Sequence, residues 1–493
     1  MDERYEDGKI VKTFSNQNKL LLWERTELAV IEARVNLSVM KNRTILREIA
    51  DIFNDHPIDI KWWKKRDKEI HHDLNAFLEE RLRWLPEDLQ RCIHEKMTSY
   101  DTEEPAFATM LSEALSVFEE QLQPLTETLE NLARRYRYTI MNGRTHGQEA
   151  EFQTFGKRCL TWLVCLREGM KNLEKAKENL KYSKLSGAIG NYRGLDAEVE
   201  EEALRILGFE PFYGATQIMP RELYTPLAQA ICQIVLTLDK IATDIRLGAR
   251  SGRPILQEPF GKKQKGSSAM PHKKNTISCE QLEGMARMAK GYLQMILDNV
   301  KTWEERAIEQ SSVERVAWPD LFHVAVHSVK TMNRVLKGLT VYPDNMLWEI
   351  VNSRGCYAAG EAKDLLRKQY NMKTEDAYRI IQLAAFNVFE PGKDAKALRQ
   401  NPVTSFTEAD NKLLQFRIKS VDKPLSIHDV IINGNLVVSD QLEATKEVVK
   451  KWNSLLIEIF KDKNVCEKWH RIFEPSFLLR GENTLYKEIL GDD

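Results

Sequence analysis

The segment Gly261–Asn275 (GKKQKGSSAMPHKKN) gathers five lysines, two glycines, a proline and the pair Ser267–Ser268. Lysine repulsion and the Gly/Pro content oppose a helix, so a flexible cationic loop is expected, suited to binding and covering an anion. Its Gly-Ser-Ser stretch could aim hydroxyls and backbone N–H groups at a carboxylate. It is not a phosphate-binding P-loop: Gly261 and Gly266 have the spacing, but Ser267 stands where that motif needs lysine. A solvated basic surface loop is the ordinary alternative, and composition alone favours it.

Other residues could also do chemistry. In Gly143–Gln148 (GRTHGQ), His146 lies between two glycines beside Arg144 and Thr145. Imidazoles in general titrate near neutrality, so a histidine on such a loop could act as acid or base, although a lone surface histidine is commoner. His71, His72 and Asp73 stand before the amphipathic stretch LNAFLEERL. An adjacent Asp can orient an imidazole, but neighbouring histidines diverge on a helix and make a poor metal pair. With no HExxH and no Cys/His cluster, neither a metal nor another cofactor is expected. Arg306 and Arg315, with Ser311, Ser312 and Glu314 between them, could hold a phosphate or carboxylate. An exposed helix with i,i+4 ion pairs explains them equally well. Lys61–Lys68 (KWWKKRDK) could stack nucleic acid, but packed tryptophans among solvated cations are the better reading.

These residues need elements to hold them. In 493 residues, 42% hydrophobic content is enough for real cores and excludes wholesale disorder. Lys plus Arg total 72 against 73 Asp plus Glu, a net charge of −1, which argues against a nucleic-acid binder working through a global positive field. No apolar run approaches the ~18 residues of a membrane span. The charged opening MDERYEDGKIVK is no secretory signal, and seven scattered cysteines fit a reducing compartment. A soluble, cytoplasmic protein is expected. Sparse Gly and Pro and abundant Leu, Glu, Lys, Ala and Arg predict an almost entirely α-helical chain.

Leu227, Ile231, Ile234, Leu238, Ile241 and Ile245 alternate steps of four and three, the seam of a packed bundle. Leu282, Met285, Ala289, Tyr292 and Ile296 repeat it. Leu111, Leu115, Phe118, Leu122, Leu125, Leu129 and Leu132 form a third, with a kink expected at Pro124. Such seams are either buried within one chain or shared between subunits. Asn142–Phe155 reads as a short irregular segment, and so do Ser186–Asn191, Gly208–Pro220 and Gly252–Ile277. Soft boundaries near residues 105 and 345 divide the chain into an N-terminal helical domain (1–105), a central long-helix domain (106–345) and a C-terminal helical domain (346–493).

In chain order these segments resemble the fumarase/aspartase superfamily, and within it the adenylosuccinate lyases. The strongest match is Gly266–Asn275 (GSSAMPHKKN), where Ala269 and His272 favour that family. GRTHGQ with Thr154–Arg158 is a second. Others are Arg4-Tyr5, Ser15–Ala33, His72-Asp73, Thr98-Ser99 with Asp101, SGAIGN, Thr216-Gln217 and WEER…SSVER. The resemblance runs from residue 4 to about 390.

It implies an all-α, three-domain protomer whose central long-helix bundle is shared in a homotetramer, each active site being assembled from three subunits. The implied reaction eliminates fumarate from adenylosuccinate, leaving AMP, and from the succinylated aminoimidazole carboxamide ribotide of purine synthesis. Ser267 would be the base, activated by Lys273 and backbone N–H groups, and His146 the acid. His72 would orient substrate or His146. Lys273 and Asn275, helped by Thr98 and Ser99, would contact the succinyl carboxylates, and Gln217 the polar centre. Arg4, Tyr5, Arg306, Ser311 and Arg315 would hold the phosphate. Asp73 would support the base-binding region, and Thr145 and Met270 complete the substrate contacts by their places in the motifs. Thr276, Glu149, His71 and Tyr224 depart from the family pattern, as do Glu304, Ala307 and Gln310, so a sister activity on a different amine stays open. The alternatives are another lyase or cycloisomerase of the superfamily, such as a carboxymuconate cycloisomerase, which needs no Arg/Tyr phosphate clamp, and a catalytically silent structural member.

Overall fold

The computed structural model describes residues 1–261, 263–270, 272–389, 426–439 and 444–492. Lys262 and Pro271 of the lysine-rich segment lie outside the described residues. The chain is predominantly helical and divides into two compact units. One comprises Met1–Thr128, Trp162–Gly248 and Gln257–Leu339; the other comprises Leu129–Thr161, Ala249–Leu256 and Thr340–Asp493.

In the first unit, helix α1 (Asn16–Asn36) begins at Ser15, whose hydroxyl accepts the Asn18 N–H and satisfies one donor of the first turn. Helix α2 (Asp73–Leu82) is capped in the same way by a ring nitrogen of His72, which accepts the Asn75 N–H. Helix α3 (Ser99–Arg135) contains both Pro105 and Pro124. The hydroxyls of Thr109 and Thr128 donate back to the carbonyls of those two prolines, each at 2.8 Å. Residue 105, near the expected boundary, lies inside this helix. All seven residues of its proposed seam, Leu111 to Leu132, are buried.

The hairpin Ile140–Thr145 (β1) and Gln148–Thr154 (β2) belongs to the second unit and replaces the irregular segment expected there. Ile140 pairs with Thr154 and Asn142 with Phe152. The register then slips, so that Arg144 faces Glu149 and Thr145 faces Gln148. Gly143 sits at the slip, where a Cβ would lie 2.9 Å from the Glu151 carbonyl. His146 and Gly147 form the two-residue turn with φ of 54° and 78°, the left-handed pair that matches strand twist. The sequence hides this turn because its first position is His, not the usual Asn or Asp.

Three further helices form the packed centre of the first unit: α4 (Thr225–Gly248), α5 (Ile277–Asp298) and α6 (Glu309–Lys337). The six seam residues of α4 are fully buried within the single chain. That settles the choice left open by periodicity: this seam is intrachain. Each such side chain contributes roughly 1.5–3 kcal/mol relative to exposure. On α5, Leu282, Met285, Ala289 and Ile296 are buried, while half-buried Tyr292 donates its hydroxyl to Asp320 of α6 at 2.9 Å.

In the second unit, helix α7 (Pro343–Asn352) packs on β1, and the last helix, α8 (Glu482–Leu490), grips the base of the hairpin. There the Glu482 carboxylate accepts from the Thr154 N–H (3.0 Å) and hydroxyl (2.7 Å). Among the described residues no helix is long and apolar enough to cross a membrane.

Candidate active site

Seven of the residues singled out by sequence line one cavity of about 190 Å³: His71, His72, Asp73, Ser99, Arg306, Ser311 and Arg315. They converge because the N-terminal ends of α2, α3 and α6 meet there. Helix N-termini present unpaired N–H groups and a partial positive charge, an arrangement that favours anions.

One carboxylate on this wall is shared by two cations. Asp73 accepts from Arg315 at 2.8 Å and from Lys19 of α1 at 3.3 Å. Burial by itself would raise the Asp73 carboxyl, but the Lys19 and Arg315 charges outweigh it and hold the group below the usual carboxylate range. Lys19 is pushed down by burial despite Asp73, and its ammonium lies over the rings of Trp23 and Trp63 at 4.6 and 5.1 Å. The Arg306 guanidinium lies over the Tyr100 ring at 4.1 Å and donates to Gln217 at 2.8 Å. Its Nε is buried with no protein partner, a donor available to a ligand.

Behind the wall, Lys184 fixes three motif segments at once. Its fully buried ammonium donates to Asp101 at 2.7 Å and to the carbonyls of Gly187 and Gln217, each at 3.0 Å. Asp101 in turn accepts the N–H groups of Thr98 and Gly187. Thr98-Ser99, SGAIGN and Thr216-Gln217 are thereby tied to one ion pair. A second buried cluster sets Arg221 between Glu104 (2.6 Å) and Glu314 (2.7 Å). Tyr224, where the family usually shows His, donates to Glu104 at 3.3 Å within that cluster. Sequence reasoning missed Lys19, Tyr100, Lys184 and Arg221, and did not treat Asp101 as a site residue. Only the position of Asp101 inside a motif could have signalled it.

The signature loop closes on itself. Gly266 packs so tightly against the Lys273 carbonyl that a Cβ would come within 1.9 Å of it, and Asn275 donates to the Gly266 carbonyl at 2.7 Å. The Ser267 hydroxyl oxygen accepts the N–H groups of Ala269 (3.3 Å) and Met270 (3.1 Å). Lys273 and Met270 are exposed. Thr276 ends the loop, and Glu258 satisfies the N–H groups of Ser278 and Cys279 at the start of α5. Glu258 thus joins the chain before the loop to the helix that follows it.

Thr145 and His146 lie at the hairpin tip in the second unit. Arg144 braces that tip by pairing with Glu149 (3.4 Å) and Glu349 of α7 (3.1 Å). The departure at Glu149 therefore has a local use. Arg4 and Tyr5 form a separate 3-10 turn. Arg4 is exposed, and the Tyr5 ring meets His327 edge-on at 5.1 Å. Neither lines the cavity. Among the described residues no group of three or more His, Cys, Asp or Glu could hold a metal.

Comparison with known proteins follows the same lines. The family model described as lyase matches residues 15–291. The adenylosuccinate lyase of Thermotoga maritima is 34% identical over 394 residues, covering 80% of this chain and 90% of that one. The adenylosuccinate lyase of Synechocystis sp. is 35% identical over 387 residues, covering 78% and 88%. Among solved structures, a fumarate lyase from Mesorhizobium sp. BNC1 superposes with a TM-score of 0.76 at 20% identity, covering 99% of both chains. A 3-carboxy-cis,cis-muconate lactonizing enzyme from Pseudomonas putida gives 0.74 at 17% identity, covering 99% of this chain and 97% of that one. These two establish the fold. The chain belongs to the lyase family of the fumarase/aspartase superfamily, and within it to the adenylosuccinate lyases.

Proposed function

We propose that this lyase eliminates fumarate from adenylosuccinate, leaving AMP, and carries out the same β-elimination on the succinylated aminoimidazole carboxamide ribotide. The proton to be removed sits beside a carboxylate and is weakly acidic. Ser267 takes it as an alkoxide. The C–H electron pair becomes the fumarate double bond, the C–N bond breaks, and His146 protonates the departing nitrogen. The observation that carries this reading is the Ser267 hydroxyl, whose oxygen accepts two backbone N–H groups inside the family's signature loop. Donors of that kind favour the deprotonated form, and the Lys273 cation, whose backbone carbonyl packs on Gly266 beside Ser267, is assigned to add to them.

Arg306, Ser311 and Arg315 hold the phosphate, with Arg4 and Tyr5 contributing. His72 orients the substrate, and Asp73 supports the region that takes its base. Lys273, Asn275, Thr98 and Ser99 contact the succinyl carboxylates, Gln217 the polar centre, and Thr145 and Met270 the substrate's flank. The enzyme works in the cytoplasm as a homotetramer whose sites are shared between copies, and each protomer has three domains divided near residues 105 and 345.

Incubation with adenylosuccinate should release fumarate, followed by its absorbance. No release at saturating substrate refutes the assignment. Arg306→Ala and Arg315→Ala should each raise KM for the phosphorylated substrate at least tenfold; unchanged KM in both favours the cycloisomerase alternative, which needs no phosphate clamp.

A further inference from the structure

Glu103 lies near the start of α3, on a wall shared by the 190 Å³ cavity and a neighbouring one of about 220 Å³. Among the described residues its carboxyl makes no hydrogen bond and no ion pair. Charged groups from several elements act on it, and Asp67, His71 and His72 line the same cavity. Lys19 comes from α1, Asp73 from the start of α2, Arg306 from the turn before α6, and Arg315 from α6 itself; on its own helix the neighbour is Tyr100. Burial pushes the Glu103 carboxyl up to about 7. The Asp73 charge adds to the rise, while Lys19, Arg315 and Arg306 oppose it.

The arrangement poses a charge problem for any doubly negative ligand. Arg315 and Lys19 are already engaged by Asp73. A dianion docking on Arg306 and Arg315 would meet two carboxylates, one of them without a cation of its own. Adding one proton to that wall removes the conflict and turns a repelling acceptor into a donor.

We propose that Glu103 is a ligand-binding residue of the phosphate clamp that takes up one proton as a dianionic oxyanion binds and donates the resulting O–H to it. This rests on the reading in which Arg306, Ser311 and Arg315 hold the substrate's phosphate. The ligand chemistry is that of a tetrahedral oxyanion. A phosphate ester can share the proton in either direction, as dianion with protonated Glu103 or as monoanion with the carboxylate. The count of one proton per site is the same in both cases. Glu103 thereby sets which anions the clamp accepts and at what pH.

Sulfate is the probe, because it stays a dianion near neutral pH and any proton taken up must come to the protein. Calorimetric titration of the full chain at about pH 8, in two buffers of different ionisation enthalpy, counts that proton. Wild type should take up close to one proton per sulfate, and its affinity should fall up to about tenfold per pH unit above the titration of Glu103. Glu103→Gln should take up almost none, bind sulfate at least as well at about pH 8, and lose the pH dependence. Glu103→Asp should keep the uptake. Zero uptake by wild type, undiminished uptake by Glu103→Gln, or no sulfate binding by wild type each overturns the proposal. A wild-type count of zero overturns the proposal even if a variant does not fold, and a count near one is assigned to Glu103 rather than to His71 or His72 of the same cavity by its loss in Glu103→Gln. Proton-linked sulfate binding by a protein that releases no fumarate would leave this inference standing and remove the substrate assignment instead.

Discussion

A hydroxyl oxygen that already accepts two N–H groups is poised differently from a free serine. Replacing Ser267 with alanine removes the proposed base but no buried packing. Ser267→Ala should lower kcat by about 10²–10⁴-fold while leaving the thermal midpoint and oligomer size unchanged. Full activity in that variant would take the base role from Ser267. Lys184 makes the opposite case. It lines neither cavity described above, yet its removal strands Asp101 as an unpaired buried charge. Lys184→Met should cost about 3–5 kcal/mol of stability, much of it regained when Asp101→Asn is added; urea unfolding of both variants checks this. Asp73 supplies a test in acid. Its folded carboxyl titrates below the ordinary 3.8, so its ion pairs stabilise the protein above that value, and this contribution is lost as pH falls through the folded titration. Asp73→Asn should therefore melt below wild type at neutral pH, with the gap closing in acid below about pH 4.

At the scale of elements, the hairpin is where sequence and structure differ most. The long helices were legible because a period near 3.6 survives in Leu227–Ile245 whatever their tertiary surroundings. The hairpin was not, since its strands are short and polar and its turn begins with a histidine forced to positive φ. The buried pairs were equally hidden. Lys184 and Asp101 stand 83 residues apart, and a charged residue carries no mark that it will be buried. The motif residues fared better: His72, Asp73, Ser99, Arg306, Ser311 and Arg315 do gather at one cavity. The last hundred residues, which resemble the family only loosely, nonetheless hold the hairpin through Glu482. Gly147→Ala would place a Cβ in a left-handed turn, a conformation costing roughly 1–2 kcal/mol. Fumarate release should fall well beyond what the small drop in melting temperature explains, because His146 shares the turn. Unaltered kcat in Gly147→Ala would mean that the tip's geometry does not matter to the reaction.

For the whole molecule, the proposed division of labour between Ser267 and His146 is the central matter. They belong to different units of the chain, and the proposal draws each site from several copies. Two inactive proteins, Ser267→Ala and His146→Ala, should then regain partial activity when unfolded together and reassembled, since some mixed sites hold both intact groups. Absence of any recovery, with mixed oligomers demonstrated by mass, would place both groups in one copy.

The contact between Gly266 and the Lys273 carbonyl has a mechanical corollary. With its neck pinched shut like a noose, the loop sends Ser267 and Lys273 out of one knot of backbone. In the proposed reaction, that knot fixes the spacing of the backbone carrying Ser267 and Lys273 before the substrate arrives. A bulky side chain at Gly266 would prise the noose open, leaving both groups present but no longer in step.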